Sequence, residues 1–231
     1  MLRDLSATRN FAIRDANPSD GEFIARNVLA AMGYEVFTDA VADSRIEVGS
    51  ASLNIQDAIK AFGEVCARPD TLYSYTRTRV ACVDGKAVGS LTAYSGDDYQ
   101  PFRNFTWGLL NTVFASNDAS GEEASDEDAA PGMPSAEPEC LPDEFYLDSM
   151  AILPEYRRMT FEYAGSTDRI GHLLMLDGIE EGRRKGFPRI SLIVDKAKPR
   201  LKTYYSALGF RPDGEILFFG HLYDRMIKEL D

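Results

Sequence analysis

Two side chains in the C-terminal half of the sequence have the chemistry of proton transfer. Tyr205 carries a phenol, which is protonated near neutral pH and can donate a proton to a developing anion. Asp148 carries a carboxylate that can accept a proton, and it lies in an apolar run typical of a buried strand. A helix is predicted to open near Arg169, and the first N–H groups of a helix attract anions because they lack internal partners. These features predict a proton donor, a proton acceptor and an anion-binding helix start.

Three elements must position these groups. A predicted strand ends in the run Met-Ala-Ile-Leu-Pro-Glu-Tyr-Arg at 150–157, and a predicted helix opens with Arg-Ile-Gly-His-Leu-Leu at 169–174. After another strand, a second helix ends in Tyr-Ser-Ala-Leu-Gly-Phe at 205–210. In this order and spacing the elements resemble the GNAT family of N-acetyltransferases. The resemblance covers nearly the whole chain outside an acidic stretch at 115–143, since the preceding order of strands and helices also matches.

The fold prediction combines this resemblance with the pattern of elements along the chain. Periodicity and turn signals predict the order β-α-α-β-β, then an insertion, then β-α-β-α-β-β. The Asp84-Gly85 pair between two alternating runs predicts a tight hairpin turn. Alternating strands and helices in the C-terminal half favour a mixed sheet. We therefore expect an α/β (α+β) fold with a GNAT-like, mostly antiparallel central sheet of about seven strands and helices on both faces.

The resemblance also implies an activity and a set of site residues. It implies transfer of acetyl from acetyl-CoA to a primary amine by direct attack, with backbone groups of Met150 and Ile152 on the pantetheine arm. Tyr205 would protonate the leaving thiolate, and Asp148, or less favourably Glu144, would serve as general base. No metal is implied. The other residues expected to bind the cofactor are Arg157, Arg158, Arg169, Ile170, Gly171 and His172.

The loop between these elements departs from the family pattern. Gly171 fits the last glycine position of the family's loop, but Arg169 and Ser166 stand where another glycine and an Arg or Gln belong. The stretch from Arg158 to Asp168 is also lengthened. One alternative is that acyl-CoA binding is retained, with the charge of Arg169 replacing the missing glycine. The other is a non-catalytic acyl-CoA-binding or protein-interaction module, in which the loop occludes the phosphate site and the acidic insertion recruits a basic partner.

Net charge is concentrated in one part of the chain. The 231 residues contain 25 Lys and Arg against 37 Asp and Glu, for a formal charge of −12. Ten of the acidic residues lie between positions 115 and 144, a stretch with no Lys or Arg. We predict a single domain over 1–231 with a mobile, low-complexity surface insertion at about 115–143. Such a field repels nucleic acid and anionic membranes, and beside a cleft it would favour a cationic amine.

Other classes of protein are disfavoured by missing patterns. The cysteines, Cys66, Cys82 and Cys140, have neither metal-ligand nor disulfide-framework spacing, and we expect the first two to be buried and the third to lie in a loop. Neither a nucleotide-binding glycine motif nor a Ser-His-Asp order is present. The charged N-terminus and the lack of a long apolar run predict a cytoplasmic protein. We expect a monomer or a homodimer.

Overall fold

The fold is described by a computed structural model over residues 9–37, 45–48, 51–117, 138–218 and 221–230. Within those ranges, the strands of the first half are β1 (Phe11–Asp15), β2 (Arg45–Val48), β3 (Ala51–Asn54), β4 (Thr78–Val83) and β5 (Lys86–Ser95). The later strands are β6 (Glu144–Ile152), β7 (Thr160–Tyr163), β8 (Ser166–Arg169), β9 (Arg189–Asp195), β10 (Arg211–Phe218) and β11 (His221–Glu229). The helices are α1 (Gly21–Ala31), α2 (Ile55–Cys66), α3 (Gly96–Asn117), α4 (Ile170–Arg184) and α5 (Pro199–Ala207).

Seven strands form the central sheet, in the order β1-β4-β5-β6-β9-β11-β10. All neighbouring pairs are antiparallel except β6 and β9, which are parallel. Helices α1, α2 and α3 cover one face with an apolar core, while α4 and α5 pack against a second core on the other face. The predicted fold class is therefore confirmed. The described helices include none long and apolar enough to cross a bilayer.

The sheet is split at its one parallel junction. Strands β6 and β9 pair only at Glu144–Tyr146 and Arg189–Ser191. Beyond these pairs the two strands diverge, although β6 remains paired with β5 and β9 with β11 along their other edges. The second half of β6 therefore presents an open backbone edge inside the sheet, next to a gap.

Helix α4 lies very close to the sheet beside this gap because two of its residues lack side chains. A Cβ atom at Gly178 would stand 2.6 Å from a methyl carbon of Leu91, and one at Gly182 would stand 2.9 Å from the ring of Phe145. Both distances are shorter than a carbon–carbon contact allows. The glycines thus fix the distance of α4 from β5 and β6, and with it the position of the start of α4.

The predicted Asp84-Gly85 turn is confirmed. Both residues have positive φ, 52° and 80°, which matches the twist of a two-residue hairpin. The lengthened stretch after Arg158 is a hairpin as well, because β7 and β8 pair around a turn at Ala164-Gly165, which also has positive φ. The expectation of an irregular loop there was wrong.

The edges of the predicted acidic insertion differ from the expectation. Helix α3 continues to Asn117, into the first residues of the predicted insertion. Residues 118–137, the centre of the predicted insertion, lie outside the described residues. After them, Glu139 and Cys140 are buried, so all three cysteines are buried rather than two. Glu139 is therefore part of the folded core, whereas Asp143 is exposed.

Candidate functional site

The gap between β6 and β9 is a cleft of about 540 Å³, here called the splay cleft. Its walls include Asp148, Met150 and Ile152 from β6, Leu192 and Val194 from β9, and Tyr205 from α5. With Arg157, which also lines the cleft, the structure brings together five of the residues singled out in the sequence, two as proton-transfer candidates and three as cofactor contacts. One strand edge that lines the cleft is unpaired, which suits an extended, flexible ligand.

A β-bulge places Asp148 at the cleft. Thr92 of β5 pairs with Ser149 and Ala93 with Leu147, so Asp148 is an extra residue without a partner in β5. The bulge keeps Leu147 and Met150 on the α4 side of the sheet, while Asp148 and Ser149 line a cavity on the other side. Regular alternation along a strand would place Asp148 and Met150 on the same face, and the bulge is the reason that they lie on opposite faces.

Asp148 is half-buried, and its carboxylate oxygens accept hydrogen bonds from neutral donors. The phenol of Tyr94 donates to Asp148 Oδ2, and the hydroxyl of Ser149 donates to Oδ1, each at 2.5 Å. Burial raises the pKa of the Asp148 carboxyl, and these two hydrogen bonds oppose that effect. A carboxyl with a raised pKa holds a proton more readily, so Asp148 has the chemistry expected of a proton acceptor.

A second carboxyl, that of Glu139, is buried in the same region and was not found from the sequence. The phenol of Tyr99 donates to its Oε1 at 2.7 Å, and that of Tyr146 donates to its Oε2 at 2.8 Å. Burial, reinforced by the negative charge of Asp148, raises the pKa of Glu139 to about 7. The only signal in the sequence is the apolar pair Cys140-Leu141 that follows, since the preceding residues read as a solvated acidic segment.

Both carboxyls line a second cavity of about 340 Å³, here called the tyrosine pocket. Four phenols line it, those of Tyr34, Tyr73, Tyr146 and Tyr223. Apolar surface comes from Met32 at the end of α1 and from Ile193 of β9. Asp148, Ile193, Tyr223 and Ala31 line both this pocket and the splay cleft. The two cavities therefore adjoin, and Asp148 stands where they meet.

Tyr205 rather than its neighbour Tyr204 faces the cleft. Tyr204 lies with its hydroxyl 3.1 Å from Nδ1 of His172, whereas Tyr205 packs against Phe210 and lines the splay cleft. Within the described residues the hydroxyl of Tyr205 has no hydrogen-bond partner. Burial raises the pKa of Tyr205, so this phenol is protonated at neutral pH and available as a donor.

The start of α4 lies at the rim of the splay cleft. A Cβ atom at Gly171 would stand 3.8 Å from Ile152 and 3.9 Å from Met150, so the first turn borders the end of β6. Ile170 is buried and anchors this turn, while Arg169 is exposed and His172 is half-buried. The free N–H groups of the first turn thus point out of the helix next to the cleft, where an anion would be stabilised.

One acidic group stands beside this helix start. The carboxylate of Asp168 accepts a hydrogen bond from the backbone N–H of Arg169 at 2.6 Å, and it lies 3.9 Å from Nε2 of His172. Its negative charge interacts favourably with the positive end of the α4 dipole. It would also repel a phosphate group at the same place.

The two arginines after β6 have different positions. Arg157 lines the splay cleft and donates from Nε to the carbonyl oxygen of Ile152 at 3.0 Å, which fixes the end of β6. Arg158 instead lines a surface groove together with Arg9 and Phe11, and the structure does not bring it to the cleft. Only the first of the two is placed to contact a ligand in the splay cleft.

The β7–β8 hairpin packs away from the cleft. Phe161 stacks on Phe11 of β1, with ring centroids 4.9 Å apart, and the phenol of Tyr163 donates to Asp177 of α4 at 2.9 Å. Strand β1 is an edge strand of the sheet, and β4 and β5 lie between it and β6. Residues 158–169 contribute nothing to the lining of the splay cleft. The hairpin therefore does not fill the splay cleft, although its second strand leads directly into the start of α4.

Glu144, the weaker candidate for a general base, has a structural position. It is fully buried, forms an ion pair with Arg225 of β11, and accepts a hydrogen bond from the N–H of Leu141 at 2.8 Å. Its side chain is therefore part of a structural ion pair, and it lines neither the splay cleft nor the tyrosine pocket. Among the described residues, no group of three or more His, Cys, Asp or Glu side chains could hold a metal ion.

Comparison with solved structures identifies the fold. The chain superposes on a crystal structure described as an acetyltransferase with a TM-score of 0.64 and 24% identity, over 95% of this chain and 100% of that one. It superposes on an N-acetyltransferase from Staphylococcus aureus Mu50 with a TM-score of 0.63 and 22% identity, over 94% and 99% of the two chains. No protein-family model and no curated protein sequence matches the chain. The chain has the GNAT fold.

Proposed function

We propose that this protein is an acyl-CoA-dependent N-acyltransferase that transfers acetyl from acetyl-CoA to a primary amine. The observation that carries the proposal is the position of Tyr205. Its unpartnered phenol faces a split in the sheet whose opposite wall contains Asp148. A proton donor and a proton acceptor thus stand on the two walls of one cleft, as direct transfer between a thioester and an amine requires. The similarity to structures described as acetyltransferases supports the same conclusion.

Each wall of the splay cleft has a part in this proposal. The open edge of β6 at Met150 and Ile152 would hold the pantetheine arm through backbone hydrogen bonds, as an added strand would be held. The first turn of α4, from Arg169 to His172, would bind the pyrophosphate, and Arg157 would support the end of β6. Backbone N–H groups of β6 would polarise the thioester carbonyl.

The chemistry then follows from the two titratable groups. Asp148 takes a proton from the incoming amine, which is protonated in solution and must lose a proton before its lone pair can attack. The nitrogen attacks the thioester carbonyl directly, and Tyr205 donates its phenolic proton to the departing thiolate. The raised pKa of each group favours the state that it needs, because Tyr205 starts protonated and Asp148 binds the proton it receives.

Replacing the phenolic hydroxyl tests the proposal. Tyr205→Phe should lower kcat for thiol release from acetyl-CoA by about 10- to 1000-fold, because the thiolate leaves without a proton donor. The matched control is Tyr204→Phe, which removes a hydroxyl one residue away that contacts His172 rather than the cleft. The assay uses a panel of amines, amino acids, polyamines and peptides with free N-termini.

Binding of acetyl-CoA is measured on the same variants by the shift in thermal midpoint. Both variants should retain the wild-type shift, because neither hydroxyl is assigned to the cofactor. Full activity of Tyr205→Phe would refute the role of that residue. A wild-type protein whose midpoint does not move at millimolar acetyl-CoA would refute the proposed function itself.

A further inference from the structure

The tyrosine pocket contains two carboxyl groups that lack the partner buried carboxylates usually have. Glu139 and Asp148 accept hydrogen bonds only from phenols and a hydroxyl, and within the described residues neither forms an ion pair. Glu144, in the same strand as Asp148, shows the contrast, since it is paired with Arg225. Burying a carboxylate without a cation is costly. The charge of Arg103 lowers the pKa of Glu139, but within the described residues Arg103 forms no ion pair with it, so both carboxyls can still receive a cationic ligand.

The two carboxyls differ in their distance from the reaction. Asp148 lines both cavities and so faces the thioester. Glu139 lines the tyrosine pocket but not the splay cleft, so it stands farther from the reacting atoms. A ligand that reaches Asp148 from this pocket thus has one end at the junction and the other near Glu139.

The remaining walls suit a short chain with a charge at each end. Phenol rings attract cations through their faces, and Met32 and Ile193 offer apolar surface to methylene groups. A volume of about 340 Å³ is near the lower limit for small-molecule sites, so the occupant is compact.

We propose that the acceptor is a compact aliphatic diamine, and that Glu139 is the residue that selects it. This inference rests on the proposed acetyltransferase function. The reacting ammonium lies at Asp148, where the pocket opens into the splay cleft, and the second ammonium is held by Glu139. Glu139 recognises charge and fixes the register of the chain, while Asp148 handles the proton.

The reaction balances with these roles. The reacting ammonium nitrogen has three protons, and one of them stays on the amide product. A second passes to Asp148 and then to solvent. The third replaces, through solvent, the proton that Tyr205 gives to the sulfur. A C–N bond forms, the thioester C–S bond breaks, and the second ammonium group of the diamine stays charged throughout.

A comparison of two acceptors of equal chain length tests the role of Glu139. In calorimetry and in thiol release, the wild type should prefer diaminobutane to n-butylamine by about 10- to 100-fold in Kd and in kcat/KM, the range for a hydrogen bond to a charged partner. Glu139→Gln should lose this preference by weakening diaminobutane, with n-butylamine changed by less than about threefold. Glu162→Gln, the same change of charge on the exposed face of the β7–β8 hairpin, should keep the preference.

A measurement on the wild type alone covers the case in which Glu139→Gln does not fold. The groups that face Glu139 are Asp148, Tyr99, Tyr146, Arg103 and Cys140. Burial and the charge of Asp148 raise the pKa of Glu139 to about 7, against the lowering effect of Tyr99, Tyr146 and Arg103. The preference for diaminobutane should therefore decline as the pH falls from 8 to 6 and Glu139 takes up a proton. Both amines stay protonated over that range, so the change reports the carboxyl.

The outcomes separate the inference from the function on which it rests. Equal binding of the two amines by the wild type overturns the inference, and so does a preference that Glu139→Gln retains. Tighter binding of a peptide N-terminus than of diaminobutane overturns it as well. Acetylation of any other amine would leave the proposed function intact in those cases. Binding of diaminobutane through Glu139 without thiol release would instead support the pocket and refute the acetyltransferase activity.

Discussion

The two cavities that meet at β6 recognise ligands by different means. The splay cleft offers an open strand edge, a helix start and one neutral phenol, Tyr205. The tyrosine pocket offers two carboxyls and a set of phenols on the other face of the sheet. Backbone groups recognise an extended ligand by its shape, whereas the carboxyls of the pocket recognise a ligand by its charge. Changes to side chains should therefore affect the acceptor much more than the acyl donor.

Asp148 lies where the two cavities meet. Its replacement should give the largest effect among the substitutions that test the difference between them. Asp148→Asn should lower kcat with amines by about 100-fold or more, because the amide cannot take the proton of the ammonium. Acetyl-CoA should still raise the thermal midpoint to the wild-type extent. Steady-state kinetics and thermal shifts on the same preparation check both statements. A loss of acetyl-CoA binding together with activity would show that the two cavities do not act separately.

The tyrosine pocket should also affect the pH dependence of stability, through the titration of Glu139. Burial raises the pKa of its carboxyl from 4.5 to about 7, so the folded protein holds a proton that the unfolded chain loses. The resulting stabilisation is complete below pH 4.5 and is lost as the pH rises towards 7. Between pH 5 and 8 the wild type should lose on the order of 2 kcal/mol of unfolding free energy relative to Glu139→Gln.

Urea denaturation of the two proteins at several pH values measures this difference. Asp148 titrates in the same direction and interacts with Glu139, so the difference between the two proteins includes the change that Glu139→Gln makes to Asp148. Parallel stability curves for wild type and variant would mean that Glu139 is charged in the folded state over the whole range.

The smallest expected effect is on the affinity of the splay cleft for acetyl-CoA. Asp168→Asn removes a negative charge at the start of α4, so acetyl-CoA should bind about two- to fivefold more tightly at low salt. The gain should shrink as salt is added, because the Asp168 side chain is about half exposed. Isothermal calorimetry at two ionic strengths gives the comparison, with Glu162→Gln as the variant of equal charge. Unchanged affinity would place the phosphates elsewhere.

Much of the splay-cleft side could be predicted from the sequence because its signals are local. A proline after a strand, a helix opening at Gly171 and a tyrosine four residues before Gly209 each constrain a few neighbouring residues. Such spacing survives in the fold, and Met150, Ile152 and Tyr205 line one cleft. The β7–β8 hairpin also had a local signal, the alternation of Phe161 and Tyr163 before Ala164-Gly165, which was outweighed by the expectation of a glycine-rich loop.

The tyrosine pocket could not be predicted because it depends on contacts between distant residues. The bulge at Asp148 exists only through the pairing of β6 with β5, and a single strand sequence does not reveal it. Glu139 follows seven acidic residues at 118–137, and composition alone makes it one more solvated charge. Its burial depends on Tyr99 and Tyr146, which come from a separate helix and a separate strand.

The split in the sheet has a mechanical consequence. The sheet consists of two panels, β1-β4-β5-β6 and β9-β11-β10, which are joined within the sheet by three residue pairs at one end. The ion pair between Glu144 and Arg225 spans that same joined end. The two panels are therefore joined at Glu144 and separated at Ile152. A small rotation at the joined end changes the distance between β6 and β9 at the other end. A ligand that binds between these two strands links the panels into one sheet.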